Sequence, residues 1–119
     1  MLDDADDDAL DTHDVLPFLE RALAQSGWER PGLEVSIDLE DDRLAGLFEH
    51  GIVRLHPLRL SRRVALHELA HFVAPHASHG PAWCRVYVDL IAAGLGVERG
   101  EVLRQELLAA GALVMPASA

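Results

Sequence analysis

The chain reads as a single α+β domain: one helix, a three-stranded and mainly antiparallel sheet, then three further helices. Three observations predict this. The apolar spacing near the start is helical. It changes to a two-residue alternation between residues 35 and 55, and it returns to helical spacing from residue 62 onward. A length of 119 residues leaves room for one core only. Half of the residues are apolar but 5% are aromatic, so Leu, Val and Ala must fill that core, which favours helices.

Residues 1–13, with Asp3, Asp4, Asp6, Asp7 and Asp8, form a like-charge block expected to be an acidic, disordered tail ahead of a domain spanning 14–115. The block lacks the central Gly and terminal Glu of a calcium loop. Asp14 is placed to cap a first helix carrying Val15, Phe18, Leu19, Ala22 and Leu23, with Pro17 in its first turn and Gly27 as its stop. After Pro31-Gly32, the alternation of Val35, Ile37 and Leu39 predicts a half-buried strand. Arg43 to Phe48 and Ile52 to Leu55 predict two more, joined as a hairpin around His50-Gly51. Ser61 is the expected cap of a helix from Arg62 to Ala74, ended by Pro75. Pro81 opens the next helix, expected to run to Ala93 before Gly94 and Gly96. A last helix, Glu98 to Ala110, has Val102, Leu103, Leu107 and Leu108 as its expected buried stripe.

Composition narrows the function. With 20 acidic and 10 basic residues, all of the latter Arg, the net charge is −10. That sign argues against nucleic-acid binding, where basic surface supplies most of the affinity. Cys84 is the one cysteine, so an intrachain disulfide and a Cys-based zinc ribbon are both excluded, which suits the cytoplasm. The acidic start does not resemble a secretory signal, and no apolar run reaches the roughly 18 residues of a membrane span.

The second predicted helix is the informative one. His67-Glu68-Leu69-Ala70-His71 is an H-E-x-x-H sequence. On a helix, positions four apart share a face, so both imidazoles can reach one zinc ion. Glu68 projects beside that ion, where a carboxylate can take a proton from water. A chain with this His and Glu content carries such a pentapeptide by chance about 3% of the time, so its surroundings must decide its meaning.

A catalytic zinc site ordinarily takes a third protein ligand. His76, His79, Asp89, Glu98 and Glu101 all follow the motif. The position six residues after His71 is Ala77, so the metzincin pattern fails. His79 is the favoured ligand: Pro75 releases the chain from the helix, the intervening residues can span back to a metal beside His71, and Gly80-Pro81 stiffens the turn. Trp83, Val86, Tyr87, Leu90 and Ile91 make a helical stripe best read as core behind the site, and Cys84 as a small hydrophobe among them. Arg59, Arg62 and Arg63 read as solvated surface near the motif helix's start, and His50 and His56 have no motif support.

Together, His67-Glu68-Leu69-Ala70-His71 and His79-Gly80-Pro81-Ala82-Trp83 resemble the zincin core of SprT-like metallopeptidases and related small bacterial metallohydrolases. The resemblance covers residues 50–95. It implies His67, His71 and His79 as zinc ligands, Glu68 as general base, and a strand near Gly51–Leu55 against which an extended peptide or protein substrate could lie. It implies a zinc-dependent hydrolase, a metallopeptidase attacking peptide bonds with water. SprT-like proteins that act on DNA-bound substrates carry nucleic-acid-binding elements that this chain lacks. The competing expectation is a non-catalytic, metal-stabilised protein-interaction module.

Overall fold

The computed structural model describes residues 8–77 and 79–112. Its α+β architecture has the expected order. A 3-10 turn, Thr12–Asp14, leads into α1 (Val15–Ser26). Strands β1 (Glu34–Ser36), β2 (Gly46–Glu49) and β3 (Ile52–Leu55) follow. Then come α2 (Arg62–Val73), α3 (Pro81–Leu95) and α4 (Val97–Ala109).

The local signals act largely as predicted. Gly27 ends α1 in the left-handed region at φ +82°, where a side chain would be strained. Ser61 caps α2, its Oγ accepting the Val64 N–H at 3.0 Å. Pro81 occupies the first turn of α3, where its missing N–H costs nothing. Asp14 departs from expectation. The 3-10 turn feeds straight into α1, so Asp14 is already helical and makes no side-chain cap.

The first half of the expected acidic tail, residues 1–7, lies outside the described residues. Asp8 and Ala9 lie beside the start of α2. Ala9 bridges Ser61 in antiparallel fashion, and Asp8 Oδ1 accepts the Arg63 backbone N–H at 3.0 Å.

The sheet is mixed, with order β1-β3-β2. β2 and β3 form the antiparallel hairpin, pairing Glu49 with Ile52 across His50-Gly51. Both tip residues have positive φ (54° and 78°), the geometry of a two-residue turn that suits the strand twist. β1 joins the other edge of β3 in parallel, because residues 37–45 carry the chain around the end of β3 before β2 begins. β1 and β2 are shorter than the alternation predicts. Leu39 is nevertheless buried, with its N–H bonded to Leu55 O at 3.2 Å.

The core lies between the inner face of this sheet and the helices. Val53 and Leu55 of β3 meet Leu66, Leu69 and Ala70 of α2, and α3 adds Trp83, Leu90 and Ile91. Gly94 lies within α3 rather than after it. A Cβ there would stand 2.8 Å from Leu66 Cδ1 and 3.0 Å from Phe18 Cζ, so close packing of α1, α2 and α3 requires the glycine. The joint to α4 is Gly96, at φ +112°. On α4 the expected stripe is only partly realised: Leu103, Leu107 and Leu108 pack against the core, while Val102 is 58% exposed. Buried Gly100 makes the close contact of α4 with Ala92.

Candidate metal centre

His67 and His71 stand one turn apart on α2, on a half-buried face, with Leu66, Leu69 and Ala70 fully buried behind them. The chain leaves α2 at Ala74-Pro75 and turns back. The Gly80 N–H closes this turn on Ala77 O at 2.8 Å. His79 occupies it with φ +63°, an αL conformation that His adopts more readily than branched residues do. Its imidazole is thereby aimed at the other two. His79 Nε2 lies 2.9 Å from His71 Nε2 and 3.3 Å from His67 Nε2. All three ligand atoms fall within 4.8 Å of one another.

This donor set fits a zinc ion. Nitrogens bound at roughly 2.0–2.1 Å to one tetrahedral ion stand about 3.3 Å apart, close to the spacing present. Burial pushes the His67 imidazole down to about 4, helped by the neighbouring His71 and His79. Burial also lowers His71, again with help from His79. Uncharged imidazoles are the form that binds metal.

Glu68 stands next to this cluster without joining it. Its Oε2 is 4.0 Å from His67 Nε2, and the residue is 8% exposed beneath the sheet. Burial raises its carboxyl to about 7, against a backbone hydrogen bond with Phe48 that lowers it. A group poised near neutrality can both take up and return a proton. A cleft of about 400 Å³ opens onto these residues, walled by Gly46, Leu47, Phe48 and Pro75.

The strand bordering the cleft is β2, not the Gly51–Leu55 segment that the resemblance implies. β3 is paired on both sides and sits mid-sheet, whereas β2 is an edge strand. Its side away from β3 carries no strand among the described residues.

The other candidate ligands lie outside the cluster. His76 is exposed on the loop and outside the cluster. Asp89 accepts the Trp28 Nε1–H at 2.8 Å. Glu101 pairs with Arg104 at 2.7 Å, and Glu98 is exposed, bordering a separate surface hollow with Arg99 and Val102. His56 is buried and fully used: Nε2 meets Asp42 Oδ1 at 2.8 Å, and Nδ1 accepts the Leu58 N–H at 3.1 Å. Arg62 lies over the Phe18 ring at 5.7 Å.

Trp83 does more than fill space behind the site. Its ring centroid is 4.8, 5.0 and 4.6 Å from those of His67, His71 and His79. It is thus a common floor for three imidazoles, and Tyr87 stacks beneath it at 4.8 Å. The helical stripe in the sequence signals burial of Trp83, but not that one ring touches all three imidazoles. Arg30 is a further supporting residue with no sequence signal. Its guanidinium donates to Phe72 O and lies 4.6 Å over the Phe72 ring, holding the last turn of α2.

No helix among the described residues is long and apolar enough to cross a membrane. No family model, no curated protein and no solved structure matches this chain.

Proposed function

We propose that the protein is a zinc-dependent hydrolase, a metallopeptidase of the cytoplasm acting on extended peptide or protein segments. One observation carries the reading: three imidazole nitrogens converge, and a buried carboxylate stands 4.0 Å from one of them without entering the cluster. His67, His71 and His79 would hold the zinc. Bound there, zinc supplies a Lewis acid and lowers the pKa of water toward neutrality.

Glu68 does the proton work. Its carboxylate accepts a proton from the attacking water and returns it to the leaving amine, a task matched to a pKa of about 7. The β2 edge borders the cleft, and an extended peptide can bond to it strand to strand. The resemblance of the two histidine motifs to SprT-like zincins supports the same assignment. The charge of −10 and the single cysteine speak against DNA-linked substrates. A non-catalytic interaction module would give Glu68 no task, and burying an idle carboxylate costs stability.

The test is Glu68→Gln, assayed against a library of internally quenched peptides. The variant should bind zinc with the wild-type stoichiometry and lose roughly 10²–10⁴-fold in hydrolysis. A zinc-loaded wild type that cleaves nothing across the library refutes the hydrolase reading and favours the interaction module.

A further inference from the structure

β2 begins with Gly46, at the place where the strand passes over α2. Gly46 is registered opposite Leu55, whose side chain is buried on the core face, so a side chain at position 46 would point toward α2. There is no space for one. A Cβ would lie 2.8 Å from Glu68 Cγ, 3.2 Å from Glu68 Oε2 and 3.0 Å from Val64 Cγ1. Backbone conformation does not explain the glycine, because Gly46 is absent from the positive-φ residues. A glycine inside a strand weakens it, and close approach of another group is the usual compensation.

The atom it approaches matters. Glu68 Cγ is the near end of that side chain, so it cannot move aside without a change in χ1. Helical backbone allows few χ1 wells, and leaving one swings the whole carboxylate to a new place. Two residues along β2, the Phe48 backbone hydrogen-bonds the same carboxylate. The strand therefore holds Glu68 at two points, once by a bond and once by an absent side chain.

We propose that Gly46 is a positioning residue for Glu68: its lack of a side chain lets β2 lie against the carboxylate and keep it beside the three histidines. The contact is independent of the hydrolase reading, and its catalytic consequence rests on that reading. The experiment separates the two.

Gly46→Ala, Glu68→Ala and the double variant are unfolded as metal-free proteins. Gly46→Ala should lower the midpoint by about 5 °C or more. In the Glu68→Ala background the same change should lower it by less than half as much, since two of the three close atoms are gone. If Gly46→Ala does not fold, recovery of folding in the double variant supports the proposal equally. Equal shifts in both backgrounds, or failure of both proteins to fold, overturn it.

The catalytic arm compares Gly46→Ala in wild-type and Glu68→Gln backgrounds. In wild type, kcat should fall about 100-fold with zinc content and KM unchanged, because a misplaced base affects the chemical step. In Glu68→Gln the change should cost nothing further. A similar loss in both backgrounds overturns the positioning role. If wild type hydrolyses nothing, the hydrolase reading falls, and the unfolding comparison alone decides whether Gly46 positions the carboxylate.

Discussion

Replacing His79 with glycine should separate its role as a ligand from its role in the fold. His79 sits at φ +63°, where a non-glycine residue costs roughly 1–2 kcal/mol. Glycine removes that strain but adds about 0.5–1 kcal/mol of chain entropy to be lost on folding. The metal-free variant should therefore melt within about 6 °C of wild type, and not below it. Zinc binding should change far more. Structural zinc sites gain roughly 10–16 kcal/mol over four ligands, so losing one donor costs about 3 kcal/mol, or ~100-fold in affinity. With zinc well above its dissociation constant, that factor removes about 2.7 kcal/mol of metal-dependent stabilisation. For a domain of this size the loss is about 12 °C in the zinc-loaded midpoint. Melting with chelator and with zinc, beside a competitive zinc titration, measures both quantities. Unchanged zinc affinity would falsify the assignment of His79 as a ligand. A large drop in the metal-free midpoint would show that its imidazole serves packing instead.

Three further outcomes follow from the same geometry. Folding lowers His67 to about 4, so the folded state holds fewer protons than the unfolded one between about 6.5 and 4, and this contribution is lost as pH falls through that window. Glu68, raised to about 7, has the opposite sign between about 4.5 and 7, its burial favouring the fold less as pH rises. Metal-free Glu68→Gln should thus show a steeper rise in stability from pH 4 to 6.5 than wild type, and should melt above it at pH 8; parallel pH profiles would contradict the buried carboxylate. Trp83→Phe should keep the fold but weaken zinc binding by about tenfold, the lower end of the range for groups that support metal ligands, as read by the same titration. Asp8→Ala removes the carboxylate that accepts the Arg63 N–H at the start of α2 and should cost about 1 kcal/mol, or ~4 °C in a thermal melt.

Some of this protein is decided within a few residues of sequence. Ser61, Gly27 and Pro81 mark helix ends because capping, left-handed backbone and a missing N–H are local properties. The four-residue spacing of His67 and His71 likewise becomes a shared helix face without help from the rest of the fold. That His79 could return to the two motif histidines was legible from its distance along the chain and its Gly-Pro neighbour, though the convergence of the three nitrogens depends on an αL turn that no periodicity encodes.

Contacts between distant segments were settled by tertiary packing. Local alternation could not tell that β1 would join β3 in parallel and leave β2 at the edge, because strand order depends on the path of residues 37–45. That order moves the cleft wall from the hairpin's second strand, Gly51–Leu55, to Gly46-Leu47-Phe48 on its first. Val102 has the helical spacing of a core residue yet is exposed, since α4 contacts α3 through the Gly100–Ala92 approach and turns that flank outward. The pentapeptide His67–His71 by itself specifies which atoms can share a metal. Burial under β2 decides the proton affinity of Glu68, and Trp83 decides what the three imidazoles rest upon; desolvation and ring packing exist only once separate segments meet.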